Sequence, residues 1–264
     1  IAVMGGTKIS AELMQSMPNL KVIGCYGVGY DAIDVKFAQS AGIKVTNTPE
    51  VLNDEVADTA IALMLAVYKN IIHAEKFARN NLWVDGEFPL SRKFSGTKLG
   101  IVGMGRIGKA IAKRAEAFDC KVSYHSRNET DVKYKYYKDI NDLAKEVDTL
   151  CIITPGGKKT EKLINRTVLN NLGKNGVIIN VARGSVIDQD ELINCLKTNV
   201  IAGAGLDVYT NEPNIPIELI NLKNTVLLPH IASATVETRN AMGQLVFDNI
   251  KAYFENKPLI SPVV

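Results

Sequence analysis

The sequence predicts an α/β protein: a doubly wound parallel sheet, with a smaller α/β unit assembled from the two ends of the chain. Three observations carry this expectation. From Lys98 onward, strand-like apolar runs alternate with segments of helical period. The strand runs are almost continuously apolar, as from Gly176 to Ala182, which suits strands buried on both faces. One of them, Leu99 to Val102, passes through Gly103, Gly105 and Gly108 into an alanine-rich helix.

The elements follow in order. Ile1 enters directly at a strand end and glycine turn, and the segment from Asn19 to Pro49 reads as strand, glycine turn, helix, strand. Asn53 or Asp54 then caps a helix expected to run from Asp54 to Asn80, with Val56, Ala60, Ile61, Leu63, Met64 and Val67 at helical spacing. As one rod of about 26 residues it is about 40 Å long, enough to bridge two domains or to join a homodimer through residues 54–80. Trp83 is expected to pack at its end, with a contribution to a dimer partner's pocket as the alternative. Beyond the glycine turn, strands are expected at Lys121–Tyr124, Thr149–Thr154, Gly176–Val181, Ile201–Val208 and Thr225–Leu228. Helices fall between them, at Lys109–Phe118, Ile140–Val147, Arg166–Asn171 and Gln189–Lys197. The last helix, Thr235 to Asn256, carries Met242, Leu245, Val246, Ile250 and Phe254 on one face and has no strand after it to serve. Its economical place is back on the N-terminal unit. The expected division is therefore 1–53 with 237–264 as the substrate domain and 54–236 as the dinucleotide-binding domain.

Composition narrows the function. With 264 residues, 46% hydrophobic and 22% charged, the chain has the make-up of an ordinary globular protein. A net charge of +3 without any block of like charges gives no reason to expect nucleic acid. The apolar stretch within Val56–Val67 is broken by Asp58 and Thr59 and is too short for a bilayer, so no membrane partner is expected. Cys25, Cys120, Cys151 and Cys195 lie far apart with no CxxC pair, which predicts buried free thiols in a reducing compartment. With no signal peptide visible at Ile1, a cytoplasmic location is expected. The three histidines have no ligand spacing, and no metal is expected.

The glycine turn is the first chemical signal. Gly103 permits a tight turn, Gly105 lets the backbone approach a pyrophosphate, and Gly108 lets the helix pack closely on its strand. Arg106, Ile107 and Gly108 open the helix and offer N–H groups and a positive dipole end to phosphates. Ligands of such sheets bind beyond the carboxyl ends of the strands. Four of those ends carry polar residues: Thr154 to Gly157, Asn180 to Gly184, Asp207 to Pro213, and Pro229 to Ser233. Arg183, Glu212 and His230 thus project from three successive strand ends. These three types suffice for hydride transfer to a 2-oxo acid. Arginine polarises the carbonyl and holds the carboxylate, histidine with its ordinary pKa of about 6.5 donates the proton, and glutamate favours the imidazolium. The position where NAD enzymes present an aspartate to the adenosine ribose holds Ser126, followed by Arg127. A carboxylate would repel a 2′-phosphate, whereas serine with arginine binds one. NADP(H) is favoured, with NAD(H), served by Glu129, as the alternative.

The chain resembles the D-isomer-specific 2-hydroxyacid dehydrogenase family over essentially its whole length. The resemblance rests on the glycine loop and on GVGYDAIDV from Gly27, VTNTPEVLNDEVADTAIAL from Val45, INVARGSVIDQDEL from Ile179, AGLDVYTNEP from Ala204 and LPHIASAT from Leu228. It implies a Rossmann coenzyme domain, a flavodoxin-like substrate domain and an active site in the cleft between them. It implies Arg183 as substrate-binding arginine, Glu212 as partner of the histidine and His230 as acid/base. It places Asp207 near the nicotinamide carboxamide and makes Thr154, Val181, Ala182 and Ser233 further cofactor contacts. Val28 and Gly29 offer backbone groups to the substrate carboxylate. The family carries further residues ahead of the point where Ile1 stands, so an N-terminal piece is expected to be missing. Among family members, NADP-dependent glyoxylate/hydroxypyruvate reductases are the expected match. An NAD-dependent D-3-phosphoglycerate dehydrogenase is the alternative within the same chemistry. A dinucleotide-sensing interaction protein, like the corepressors that share this fold, is the alternative of another class.

Overall fold

A computed structural model describes all 264 residues, which divide into two compact units: 1–55 with 233–264, and 56–232. The smaller unit begins with β1 (Ala2–Met4), α1 (Ala11–Gln15), β2 (Val22–Tyr26), α2 (Val35–Ser40) and β3 (Lys44–Thr46). The strands form a parallel sheet in the order β1-β2-β3. Its core of Ile9, Met14, Ile23, Cys25, Ile33, Ala38, Ile43 and Val45 comes from both helices and the strands.

The expected rod over 54–80 is two helices, not one. Helix α3 (Asn53–Tyr68) buries Val56, Ala57, Ala60, Ile61, Leu63, Met64 and Tyr68. Asn70 then adopts a left-handed conformation (φ 53°), and α4 (Ile71–Arg79) leaves at 64°. The reason lies in burial. The apolar stripe ends at Tyr68, whose hydroxyl is bonded to Thr149 at 2.9 Å, while α4 buries no residue at all. Nothing in the fold stabilises a straight continuation, and Asn tolerates the left-handed break better than most residues. Trp83 also departs from expectation: it sits in a short 3₁₀ turn and is 74% exposed instead of packed.

The larger unit contains β4 (Lys98–Val102), α5 (Arg106–Glu116), β5 (Lys121–His125), β6 (Lys135–Tyr136), α6 (Ile140–Glu146) and β7 (Thr149–Ile152). It continues with α7 (Arg166–Leu172), β8 (Val177–Asn180), α8 (Gln189–Lys197), β9 (Gly203–Leu206), α9 (Ile217–Ile220) and β10 (Thr225–Leu227). The strands make one parallel sheet in the order β10-β9-β8-β7-β4-β5-β6. Register shows why its central strands are almost continuously apolar. Gly100, Leu150, Ile178 and Ala204 form one row, against which Leu143 of α6 and Val147 just after it pack. Ile101, Cys151, Ile179 and Gly205 form the opposite row, facing Gly108 of α5 and Leu63 of α3. Both faces are therefore covered. The two-residue β6 escaped the sequence reading because so short a pairing has no period to detect.

The chain returns to the smaller unit through α10 (Val236–Phe254). Its Val246 lies where a side chain on Gly24 of β2 would stand, 2.8 Å from an added Cβ, so the glycine is what lets helix and strand meet. The terminal segment then pairs Pro262 antiparallel with Thr46 at the edge of β3. All four cysteines are buried and free, and burial pushes the Cys151 thiol up to about 12.

Candidate active site

The sheet order changes direction at β4: β5 and β6 lie on one side of it, and β7 to β10 on the other. Such a switch point leaves a crevice at the carboxyl ends of the two central strands. The glycine turn opens there. Gly103 (φ 111°) would bring an added Cβ to 2.9 Å from the Ile153 carbonyl group, and its N–H is tied to the His125 carbonyl at 2.8 Å. Gly108 packs so tightly that a Cβ would lie 2.1 Å from the Gly103 oxygen. Gly105 differs: nothing lies within 4 Å of its would-be Cβ. It stands before α5 with no side-chain cap, and the first helical bond runs from the Lys109 N–H to the Gly105 carbonyl. The first turn of α5, with its positive dipole end, thus begins at a residue without a side chain. These residues fit a dinucleotide pyrophosphate on geometry alone.

Three strand ends bring the candidate catalytic groups together. After β8, Asn180 accepts the Ala182 N–H at 3.0 Å and donates to the Arg183 carbonyl at 3.0 Å, closing a small turn around Val181 and Ala182. Gly184 seats that turn: a Cβ there would stand 1.9 Å from the Tyr209 carbonyl carbon, inside the loop after β9. In that loop Glu212 accepts the Tyr209 N–H at 3.0 Å and receives His230 Nδ1 on its other oxygen at 2.7 Å. Burial works against the Glu212 charge, but His230, the Tyr209 N–H and the Arg183 guanidinium together hold its carboxyl below the usual range. A carboxylate accepting at Nδ1 assigns the proton to that nitrogen and leaves Nε2 to work outward.

His230 itself occupies the left-handed region (φ 55°), a conformation that costs a residue with a Cβ about 1–2 kcal/mol. Asp207 holds it there. Its carbonyl takes the His230 N–H at 2.9 Å, and its carboxylate takes the N–H groups of Ile231 and Ala232 at 2.7 and 2.8 Å. Burial pushes the Asp207 carboxyl up, against the pull of those two donors. Tyr209, its hydroxyl 2.9 Å from the Leu228 carbonyl, ties the same two loops from below. Asp207 therefore has a structural task alongside the cofactor contact expected of it. The sequence marks Asn180 and Asp207 as polar strand ends but not the bonds by which they hold these loops. The available signal was a polar residue at the end of an otherwise wholly apolar strand.

The other expected positions are dispersed. Thr154 follows β7, its backbone nitrogen close behind Gly103. Ser126 and Arg127 lie just past β5: the Ser126 hydroxyl donates to the Asn128 carbonyl, and Arg127 is exposed. Ser233 is the first residue of the returning segment. In the smaller unit, Val28 and Gly29 follow β2, half-buried, and neither of their N–H groups meets an acceptor in the protein.

Comparison with known proteins turns this geometry into a lineage. Residues 61–232 match the family described as D-isomer specific 2-hydroxyacid dehydrogenase, NAD binding domain. The chain belongs to this family. The enzyme is 47% identical to glyoxylate/hydroxypyruvate reductase A of Arabidopsis thaliana, over all of this chain and 85% of the relative. It is 46% identical to hydroxyphenylpyruvate reductase of Plectranthus scutellarioides, with the same coverage. Among solved structures it resembles an NADPH-dependent glyoxylate/hydroxypyruvate reductase from Sinorhizobium meliloti, determined with NADP and malonate. There the TM-score is 0.96 at 47% identity, over 100% of this chain and 83% of that one. The enzyme is thus an NAD(P)-dependent 2-hydroxyacid dehydrogenase.

Proposed function

We propose that the enzyme reduces small 2-oxo acids, glyoxylate and hydroxypyruvate foremost, to the D-2-hydroxy acids with NADPH. The observation that carries this reading is the His230–Glu212 pair at 2.7 Å, with the Arg183 charge acting on the same glutamate, at the strand ends of a sheet that also opens the glycine turn. NADPH, when bound along Gly103, Gly105 and the first turn of α5, supplies the hydride. Arg183 polarises the carbonyl and forks onto the carboxylate. Val28 and Gly29 give that carboxylate two backbone N–H groups. His230 passes the proton on Nε2 to the carbonyl oxygen as the carbon is reduced, and Glu212 steadies the ring through Nδ1. Oxo acid, NADPH and one proton become hydroxy acid and NADP⁺. Support for NADP(H) over NAD(H) comes from Ser126 and the exposed Arg127 where an acidic residue would otherwise meet the ribose.

We further propose a homodimer through the region of α3 and α4. Ile71, Ile72, Leu82, Trp83, Val84 and Leu90 are all exposed there, a clustering along one stretch of chain that a partner copy would cover. Loss of the dimer in light scattering on Trp83→Glu is the expected outcome. A cytoplasmic location belongs to the same reading, supported by four free buried thiols.

One assay tests the function: NADPH and NADH oxidation with glyoxylate, hydroxypyruvate, 4-hydroxyphenylpyruvate and 3-phosphohydroxypyruvate. Fastest turnover of the first two with NADPH is expected. Preference for 3-phosphohydroxypyruvate with NADH would instead make it a phosphoglycerate dehydrogenase. Tight NADPH binding without turnover of any acid would make it a dinucleotide sensor.

A further inference from the structure

The first three carbonyls of the loop that follows β2 are all engaged by the protein. The Gly27 carbonyl accepts the Thr48 N–H at 2.9 Å, the Val28 carbonyl accepts Asn47 Nδ2 at 2.9 Å, and the Gly29 carbonyl receives the Cys25 thiol at 3.6 Å. A trans peptide points its carbonyl and its N–H in opposite directions. Holding the Gly27 oxygen therefore turns the Val28 N–H away from the protein, and holding the Val28 oxygen does the same for Gly29. Two neighbouring N–H groups aimed outward make a concavity for an anion. Of the two bonds that aim them, one is made by backbone. The other depends on a single side chain, Asn47.

Asn47 is itself fixed by a buried relay. The Ser261 hydroxyl donates to the Asn47 carbonyl at 2.6 Å, and the Asn47 N–H reaches the Ser261 carbonyl at 3.3 Å. Behind Ser261 stands Asn249 of α10, fully buried. Its amide donates to the Ser261 hydroxyl at 2.9 Å, and its oxygen accepts the N–H groups of Ile260 and Ser261, both at 3.0 Å. Successive hydrogen bonds thus run from Asn249 through Ser261 to Asn47, which lets the relay transmit position. An amide fits position 47 where a carboxylate fails. The Val28 oxygen requires a donor, which excludes aspartate.

We propose that Asn47 is a positioning residue for substrate binding: it aims the Gly29 N–H at the substrate carboxylate and is locked by the Asn249–Ser261 relay. This rests on the reading that Val28 and Gly29 hold the carboxylate.

The test separates the two. In Asn47→Ala and in the isosteric, donor-less Asn47→Asp, KM for glyoxylate and the inhibition constant of oxalate should rise together, by about five- to tenfold for Asn47→Ala. NADPH affinity, followed by fluorescence, should not change, and kcat should stay within about twofold. Ser261→Ala, a milder variant, should move both constants the same way by less. The idea is overturned if folded Asn47→Ala, or folded Ser261→Ala where the former does not fold, leaves KM and the oxalate constant unchanged. It is equally overturned if kcat and NADPH affinity fall alongside, which would mean general damage. Val28→Pro, which deletes one loop N–H, checks the foundation. If it leaves oxalate inhibition intact, the loop does not hold the carboxylate and the proposal falls with it. If it weakens oxalate while Asn47→Ala does not, only the role of Asn47 fails.

Discussion

Two ends of the same sheet are built in opposite ways. Beyond β8, β9 and β10, the loops bearing Arg183, Glu212 and His230 are bound to each other through Asp207, Tyr209 and the side-chain-free contact at Gly184, while Asn180 braces its own loop. Beyond β5, Ser126 makes a local bond to Asn128, and Arg127, Asn128 and Glu129 lie in solvent. The difference follows the demand on each region. Proton transfer needs heavy atoms placed within a few tenths of an ångström. Recognition of a doubly charged phosphate, the role proposed for Arg127, needs only a nearby cation.

If that contrast is real, substitutions at the two ends should fail differently. The largest effect is expected at His230→Ala: turnover should fall roughly 10²–10⁴-fold, with NADPH binding by fluorescence titration unchanged. Asp207→Asn comes next. One of the N–H groups of Ile231 and Ala232 would then face an amide donor, and stability measured by urea unfolding should drop by about 1–3 kcal/mol, with turnover falling as the His230 loop loosens. At the other end, Arg127→Ala should raise KM for NADPH about tenfold while leaving NADH unaffected and the melting temperature unmoved. An equal change with both cofactors would break the contrast. The smallest effect concerns acid. Because the Glu212 carboxyl is held below its ordinary value of 4.5, its ionised form contributes stability above that pH, and the contribution is lost as pH falls through the lower folded value. The gap in melting temperature between wild type and Glu212→Gln should therefore shrink as pH falls below about 4.5.

The sequence reading succeeded where a signal is local. Strand–glycine–helix at Leu99 to Gly108, the apolar runs, and polar residues at strand ends are each visible within a short window, and all recur in the fold. It failed where the deciding partner is remote. Helical spacing continues past Tyr68 in the sequence, yet the helix breaks at Asn70 because no neighbour buries α4. Trp83 reads as a packing residue by type and proves exposed. Asn47 and Asn249 look like ordinary loop and helix amides until Ser261, more than two hundred residues from Asn47, joins them.

By itself, then, the sequence determined the alternation of elements, the dinucleotide turn and the three candidate catalytic side chains. Those depend on residue type and short-range spacing, which the chain carries along its length. The tertiary structure alone decided which atoms face which. It put Nδ1 of His230 on Glu212, Asp207 beneath the histidine loop, and the carbonyls after β2 inward so that their amides turn outward. Orientation of that kind arises when distant segments close on one another, and no window of sequence contains both partners.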